Sequence, residues 1–219
     1  MAGHTARWSR LLVPAAAGTD ERYTPEWFLD LVVEIMGGID LDPCADPRRR
    51  VPAARHFTKE DDGLAQGWSG RVFLNPPFSD ATTWLKHLCI YAESGAVTEA
   101  VVLVPVTSLG TAGAELLMRR TASCVTVCKA RFGFLNNEYE PLPESTPVPM
   151  SVVYMGNQPD RFLQLTSSIG YGLVVHQPHP QHKQRQCAYC GTIFTAQRST
   201  AKFCSATCRS KAHKQKSKL

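Results

Sequence analysis

Blocks of consecutive apolar residues alternate along most of the chain with stretches in which apolar residues recur every three or four positions. The continuous blocks are typical of buried β-strands, and the periodic stretches are typical of helices that present one face to a core. The blocks predict strands at 72–74, 98–106, 124–127 and 149–155, and 39–42, which closes on an acidic residue and a proline, is predicted as a first strand. Helices are expected at 25–36, after a cap at Ser79 or Asp80, and around 113–120. Because strands and helices alternate, we predict an α/β fold with a twisted, mostly parallel sheet.

The first of these helices has clear end signals. We predict Thr24 as its N-cap and Pro25 as its first residue, with Glu26 in the first turn, where a carboxylate is favourable. Gly37 and Gly38 end the pattern. The apolar stripe comprises Phe28, Leu31, Val32, Ile35 and Met36. One face of this helix is therefore expected to pack on the sheet.

The strand at 72–74 leads directly into Asn75-Pro76-Pro77-Phe78. Because proline has no amide hydrogen and a fixed φ, the strand should end here, and the four residues should form a rigid loop. In open α/β sheets, ligands bind in the crevice at the carboxyl ends of the strands. We therefore predict that this loop carries a functional site.

The loop offers hydrogen-bond acceptors beside an aromatic ring. The side-chain oxygen of Asn75 is one acceptor and the carbonyl of Pro76 is a second. A planar group with a terminal amine suits this set, because its two amine hydrogens can bind the acceptors while its ring stacks on Phe78. The alternative is a proline-rich turn after an edge strand, without a further role.

Charge is distributed unevenly along the chain. Residues 1–160 contain 14 Lys and Arg against 19 Asp and Glu, whereas residues 161–219 contain 10 Lys and Arg and no acid, so the net charge of +5 is −5 followed by +10. A basic tail of this kind usually binds polyanions, most often nucleic acid. No apolar run approaches the roughly 20 residues of a membrane span, so no membrane partner is expected.

The eight cysteines fall into two groups. Four are scattered and are interpreted as buried apolar residues of a reduced protein: Cys44, Cys89, Cys124 and Cys128. The other four have the spacing Cys-x2-Cys-x13-Cys-x3-Cys: Cys187, Cys190, Cys204 and Cys208. This spacing predicts a zinc-ribbon or treble-clef-like module that binds a structural zinc ion, with a pair of disulfides as the alternative. Basic residues around it are predicted to contact a nucleic-acid backbone: Arg198, Lys202, Arg209, Lys211 and Lys214.

The order of motifs in the first three quarters of the chain carries a resemblance. Asn75-Pro76-Pro77-Phe78 resembles the catalytic [DNS]-P-P-[YFW] motif of S-adenosylmethionine-dependent amino methyltransferases. The other motifs are Tyr23-Thr24-Pro25-Glu26, Asp40-Leu41-Asp42-Pro43-Cys44-Ala45, Glu60-Asp61-Asp62-Gly63-Leu64 with Trp68, and Phe132-Gly133-Phe134. Over roughly residues 20–157, the chain resembles the phage-type DNA N-6-adenine methyltransferases (Dam family).

The resemblance implies a Rossmann-like class I methyltransferase fold, S-adenosylmethionine as methyl donor, and the N6 amine of a flipped-out adenine in double-stranded DNA as acceptor. It implies catalytic roles for Asn75, Pro76, Pro77 and Phe78. Phe78 and Phe134 are expected to stack on the target base, with a core position as the alternative for Phe134. The implied cofactor-binding residues are Tyr23, Thr24, Pro25, Asp42, Pro43 and Asp62, with Asp61 as an alternative to Asp62.

These expectations divide the chain into five parts: a flexible arm (1–20), a methyltransferase domain (21–165), a linker (166–185), a zinc module (186–210) and a basic tail (211–219). A monomer is favoured. The resemblance also implies a cytoplasmic phage or prophage protein of a bacterial host, active in protection from restriction or in regulation.

Two other classes of function remain open. Asn-Pro-Pro followed by an aromatic residue also serves methyltransferases that act on RNA adenines or on protein glutamines. In addition, the family pattern acid-Pro-x-x-Gly-x-Gly is replaced here by Asp42-Pro43-Cys44-Ala45-Asp46-Pro47, which lacks both glycines. A DNA-binding protein with a catalytically decayed methyltransferase domain is therefore the other alternative.

Overall fold

The computed structural model of the protein describes residues 22–136, 138–142, 146, 148–175, 184–195 and 202–216. The chain divides into two compact units, Met1–Gln177 and Pro178–Leu219. The predicted arm at 1–20 and the middle of the predicted linker, at 176–183, lie outside the described residues. Within the described ranges, no helix is long and apolar enough to cross a membrane.

The first unit is built from alternating helices and strands. Its helices are α1 (Glu26–Met36), α2 (Ala81–Glu93), α3 (Ala112–Arg120) and α4 (Pro159–Thr166). Its strands are β1 (Ile39–Asp42), β2 (Ala53–His56), β3 (Gly70–Leu74), β4 (Val97–Pro105), β5 (Cys124–Cys128), β6 (Met150–Met155) and β7 (Gly170–Val174).

The seven strands form one sheet in the order β2-β1-β3-β4-β6-β5-β7. The neighbours among β2, β1, β3 and β4 pair in parallel, whereas β6 is antiparallel to both β4 and β5, and β7 is antiparallel to β5. Only β6 and β7 therefore run against the direction of the other strands. The predicted α/β fold with a mostly parallel sheet is confirmed.

Both faces of the sheet are packed. On one face, Phe73 and Val101 join a core that includes Phe28 of α1. On the other face, Val72 and Leu74 join a second core. Side chains alternate between the two faces along β3, and all three from Val72 to Leu74 are buried. The loop that follows β3 therefore starts from a strand held on both sides.

The predicted start of α1 is wrong by one residue. The helix begins at Glu26, and Pro25 is its N-cap with an extended backbone (φ −70°, ψ 149°). Thr24 lies one residue before the N-cap and does not cap the helix; its Oγ1 accepts a hydrogen bond from Asn75 Nδ2. The predicted end is confirmed: Gly37 adopts a left-handed conformation with φ 71°, and its amide donates to the carbonyl of Val33.

Three elements have no clear signal in the apolar pattern. β2 is a mostly exposed edge strand, and β7 at the opposite edge is exposed along most of its length. The short helix α4 buries only Phe162 and Thr166. Because β7 lies within 166–185, the prediction that this whole range is a linker is wrong, and the first unit extends beyond the predicted domain end at 165.

An ion pair joins β1 to β3 near the start of each strand, and neither of its residues lines the cavity. Arg71 donates from Nη2 to Asp40 Oδ1 at 2.7 Å, and its Nε and backbone amide donate to Asp40 Oδ2 at 3.0 and 2.8 Å. These hydrogen bonds lower the pKa of Asp40 to about 2. Gly70 has φ +79°, and a Cβ there would lie 2.6 Å from Asp40 Oδ2. The first aspartate of the Asp-Leu-Asp motif is therefore structural.

Candidate active site and candidate metal centre

A cavity of about 670 Å³ lies at the carboxyl ends of β1 and β3. Its lining residues are 22–24, 42–47, 51, 57–60, 62, 63, 73, 75–78 and 84. All residues predicted for cofactor binding or catalysis in the first unit are among them except Pro25, and Phe134 is not among them either. Segments that are far apart in the sequence thus converge at the predicted crevice.

Asn75 is fixed by hydrogen bonds from its side-chain amide. Nδ2 donates to the backbone carbonyl of Arg22 at 3.0 Å and to Thr24 Oγ1 at 3.2 Å. Since the Arg22 carbonyl can only accept, these contacts determine which end of the amide is nitrogen. Oδ1 is buried and has no hydrogen-bond partner in the part of the chain that the structure describes. A cavity-lining residue thus carries an unused acceptor.

The two prolines and Phe78 follow in a rigid loop. Pro76 is buried, and the carbonyl of Pro77 accepts from the amide of Asp80 at 3.1 Å. A 3₁₀ turn at Phe78–Asp80 then leads into α2. Because proline has no amide hydrogen, this loop has few donors of its own, which leaves its acceptors available to a ligand.

Phe78 is partly exposed and is held by two neighbours. The guanidinium of Arg22 lies 5.5 Å from the centre of its ring. Phe134 meets it edge to face, with ring centres 5.8 Å apart. Phe134 itself is only 1% exposed and packs against Phe132 in the core. It has no free face for a base, so the prediction that it stacks on the substrate is wrong for this conformation, and its contact supports Phe78.

Asp42 is a buried carboxylate at the end of β1, with 3% of its surface exposed. Its Oδ1 accepts from the amide of Cys44 at 3.1 Å. Burial raises the pKa of Asp42 to about 7, because the charged form loses its hydration and one backbone hydrogen bond compensates only in part. A bound cation such as an ammonium group would favour the charged form.

The loop after β1 lacks the family's glycines, but its backbone is well anchored. The amide of Ala45 donates to the carbonyl of Phe57, and the amide of Phe57 donates to the carbonyl of Asp42, both at 2.9 Å. A glycine is instead required at another position in the cavity lining, Gly63, which contacts Pro43. A Cβ at Gly63 would collide with the carbonyl oxygen of Pro43. The close approach of two backbone segments is thus supplied by Gly63.

The structure distinguishes Asp62 from Asp61. Asp61 Oδ2 accepts from both the amide and the hydroxyl of Thr58 at 2.9 Å, which occupies its carboxylate and lowers its pKa. Asp62 lines the cavity with a positive φ of 48°. Trp68 Nε1 donates to the carbonyl of the next residue, Gly63, at 2.8 Å. The geometry therefore favours Asp62 as the cavity-side carboxylate.

Arg22, Trp84 and Tyr139 belong to the site or its surroundings but were not predicted. Arg22 and Trp84 line the cavity. Tyr139 stacks on Tyr23 with ring centres 5.0 Å apart and an interplanar angle of 12°. The backbone of Tyr23 also pairs with Leu135. Trp84 carried only a helix-face signal in the sequence, and Tyr139 carried none, since its role depends on a contact between distant segments.

The second unit brings its four cysteines together. β8 (Gln184–Gln186) and β9 (Ile193–Thr195) form an antiparallel hairpin, and Cys187 and Cys190 lie in its connection. Gly191 has φ +74°, and its amide donates to the carbonyl of Cys187 at 3.0 Å. Cys204 precedes α5 (Ala206–Lys216), which contains Cys208. Two ligands in a hairpin turn and two at a helix start correspond to the treble-clef-like alternative.

The sulfur positions fit a tetrahedral metal ion. All four Sγ atoms lie within 4.8 Å of one another. The Cys190–Cys204 and Cys204–Cys208 sulfur distances are 3.6 and 3.5 Å, close to the roughly 3.8 Å edge of a tetrahedron with Zn–S bonds of about 2.3 Å. The four cysteines are free, so the disulfide alternative is not supported. Although burial opposes it, amide donors lower the pKa of Cys187 to about 6.

The predicted backbone-contact residues are only partly described. Lys202, Arg209 and Lys211 are exposed around the cysteine cluster. Lys214 lies in α5, but its side chain is outside the described part, as is all of Arg198. The described basic side chains are therefore accessible to a polyanion.

A family model described as DNA N-6-adenine-methyltransferase (Dam) matches residues 15–166. No curated protein matches the chain. The matched range contains every residue that lines the cavity and ends with the last residue of α4, before β7 and the second unit.

Proposed function

Because the chain belongs to the DNA N-6-adenine-methyltransferase (Dam) family, with the class I methyltransferase fold, we propose that it transfers a methyl group from S-adenosylmethionine to the N6 amine of a flipped-out adenine in duplex DNA. The observation that carries this proposal is the buried Oδ1 of Asn75, which has no partner among the described residues and lies in a cavity wall that also contains the partly exposed Phe78. A polar atom left unpaired in a buried position needs a donor from a ligand.

The cavity residues fit the chemistry of the cofactor. The Asp42 carboxylate suits the ammonium of the methionine part, and the Asp62 carboxylate suits the adenine amine. The same side of the cavity is also lined by Tyr23, Thr24 and Pro43. Pro25 does not line the cavity, and we propose that it acts indirectly, as the N-cap residue that joins this segment to α1. S-adenosylmethionine supplies the methyl group, activated by its positively charged sulfur.

The residues after β3 would bind the target base. Phe78 stacks on the extruded adenine, and Asn75 Oδ1 and the Pro76 carbonyl accept the two amine hydrogens. This arrangement directs the nitrogen lone pair out of the ring plane, towards the methyl donor. As positive charge develops on the nitrogen, the same two acceptors stabilise it, so orientation and electrostatics carry the rate without a separate strong base.

The second unit is proposed to bind one structural zinc ion through Cys187, Cys190, Cys204 and Cys208. The exposed Lys202, Arg209 and Lys211 would then contact DNA phosphates without reading sequence. Arg198 and Lys214 are proposed for the same role on their positions in the sequence. This unit would add general affinity for DNA.

The test is methyl transfer from labelled S-adenosylmethionine to unmethylated duplex DNA, followed by nucleoside analysis. Wild type should yield N6-methyladenine, and Asn75→Ala should not. Asn157→Ala removes the same amide at an exposed position outside the cavity lining and should retain activity. Wild-type protein that binds the cofactor but leaves DNA unlabelled would redirect the search to RNA or protein acceptors. Protein that fails to bind the cofactor would support the decayed-domain alternative.

A further inference from the structure

Three consecutive arginines, Arg48 to Arg50, occupy the loop between β1 and β2, directly beside the cavity. The residues on either side of them, Pro47 and Val51, both line it. The loop is held by Asp46, whose Oδ1 accepts from the amide of Arg48 at 2.7 Å and whose Oδ2 accepts from the amide of Arg50 at 3.1 Å. The backbone that presents these side chains is therefore fixed.

Two of the arginines converge on one aromatic ring. The guanidinium carbon of Arg48 lies 5.6 Å from the centre of the Tyr139 ring, and the guanidinium of Arg50 lies against the same ring. Tyr139 in turn stacks on Tyr23, a cavity-lining residue. Tyr139 has φ 69°, an unusual conformation for a residue with a large side chain. The stack extends outward from the cavity wall.

Among the described residues, Asp46 is the carboxylate that acts on this stack, and it accepts from backbone amides and forms no salt bridge with either guanidinium. Salt bridges between described residues involve Arg71, Arg119 and Arg120, and none involves Arg48 or Arg50. Arg50 Nη1 and the Tyr139 hydroxyl are buried, and neither has a hydrogen-bond partner within the described ranges. Desolvation first, and then the positive charge of Arg48, lower the pKa of Arg50, and this outweighs the opposing effects of Asp46 and Tyr23. Two like charges and two unused polar groups are thus gathered at one place.

We propose that Arg48 and Arg50, supported by Tyr139, bind a phosphate of the DNA backbone next to the target adenine. The inference rests on the proposed function, because the substrate DNA supplies the phosphate. A guanidinium has a planar edge of N–H donors that can form two parallel hydrogen bonds to an anion. Residues 1–160 carry a net charge of −5, so this interaction must come from a local cluster.

The experiment measures binding of a short, fluorescein-labelled, unmethylated duplex by anisotropy over a series of salt concentrations, with full-length protein. Arg48→Gln should weaken binding about tenfold and reduce the slope of log K against log salt by about 0.9 for each phosphate that is no longer neutralised. Arg48→Gln combined with Arg50→Gln should reduce both quantities further. Affinity for S-adenosylmethionine, measured by calorimetry, should not change.

Two further variants separate charge from geometry. Replacing both arginines by lysine keeps the charge but removes the fork of donors, so the salt slope should persist while affinity falls. Arg119→Gln is the matched control, since it removes one positive charge from an exposed ion pair on α3, outside the cavity lining. It should leave affinity and slope close to wild type.

The inference is overturned if Arg48→Gln binds the duplex with the same affinity and slope as Arg119→Gln. The Arg48 side chain is exposed, so this variant should fold normally. Methyl transfer by wild type on the same duplex is measured in parallel. Absence of transfer contradicts the proposed function, whereas transfer with unaltered binding by the variants contradicts only the phosphate site.

Discussion

Asn75 and Thr24 are joined by a hydrogen bond of 3.2 Å between Nδ2 and Oγ1, although 51 positions separate them in the sequence. The same amide donates to the carbonyl of Arg22. Because rotation of the amide would break both hydrogen bonds, the segment before α1 holds Asn75 with its oxygen unpaired. The chain's first described residues thus orient the acceptor on which the proposed chemistry depends.

Removing the Thr24 hydroxyl should slow methyl transfer. We expect Thr24→Val to lower kcat about two- to tenfold, the equivalent of one neutral hydrogen bond, because the Asn75 amide would be less firmly held. The KM for DNA should change little, as measured by steady-state kinetics at saturating cofactor. Thr24→Ser keeps the hydroxyl and should restore kcat. A wild-type kcat in Thr24→Val, or a kcat in Thr24→Ser as low as that in Thr24→Val, would contradict the role of this hydrogen bond.

Replacing Asp42 should stabilise the protein without ligand. Its folded-state pKa is raised from 3.8 to about 7, so the folded protein retains a proton that the unfolded chain releases near pH 4. Stability should therefore fall as pH rises through this range. Asp42→Asn should raise the melting temperature at pH 8 and flatten its pH dependence, whereas Asp160→Asn, at an exposed carboxylate, should do neither.

The same substitution should weaken cofactor binding. The proposed partner of the ammonium is charged Asp42, so affinity for S-adenosylmethionine should fall as pH is lowered below about 7. Asp42→Asn should bind more weakly and lose this dependence, as measured by calorimetry across pH. A wild-type affinity that does not change between pH 6 and pH 8 would assign the ammonium to another group.

Gly63 should not tolerate even a methyl group. Its Cβ would collide with the carbonyl oxygen of Pro43 and lie 3.2 Å from the ring of Trp84. Gly63→Ala should cost about 1–3 kcal/mol of stability and reduce cofactor affinity, because two cavity walls must move apart. Gly67→Ala, where nothing lies within 4 Å, is the matched control. Denaturant unfolding measures the stability of the two variants, and calorimetry measures their affinity for the cofactor. Equal losses in Gly63→Ala and Gly67→Ala would contradict the packing argument.

Metal removal should affect the second unit alone. We expect one zinc ion per chain by atomic emission, none in Cys204→Ser, and one in Cys89→Ser, whose thiol is buried in the first unit. Chelation should abolish amide-exchange protection in 184–195 and 202–216, because small zinc modules depend on the metal to fold. The thermal transition of the first unit should persist. Wild-type protein that binds no zinc would contradict this prediction.

The loop after β3 could be predicted because its signals are local. Val72 to Leu74 are buried on both faces of the sheet and read as a continuous apolar block, and the prolines after Asn75 must end it. The cysteine cluster could also be predicted from the sequence, because the spacing of metal ligands along a chain reflects the geometry of the metal. Both depend on few residues that are close together in the sequence.

Other features depend on contacts between distant segments. Thr24 has every property of an N-cap, but its hydroxyl serves Asn75 instead. β2 and β7 lie at sheet edges, where exposed residues hide the apolar pattern that burial would impose. The contact of Arg50 with Tyr139 has no sequence signal at all, because neither residue type nor spacing marks it.

The unpartnered oxygen of Asn75 also bears on when the reaction stops. In the proposed arrangement, an unmodified adenine amine gives one hydrogen to Asn75 Oδ1 and one to the Pro76 carbonyl. After one transfer only a single hydrogen is left, so one of the two acceptors is again without a donor, at a cost of about 1–3 kcal/mol if it stays buried. A site of the proposed kind is therefore matched to substrate and mismatched to product, which favours release after a single methylation and disfavours a second.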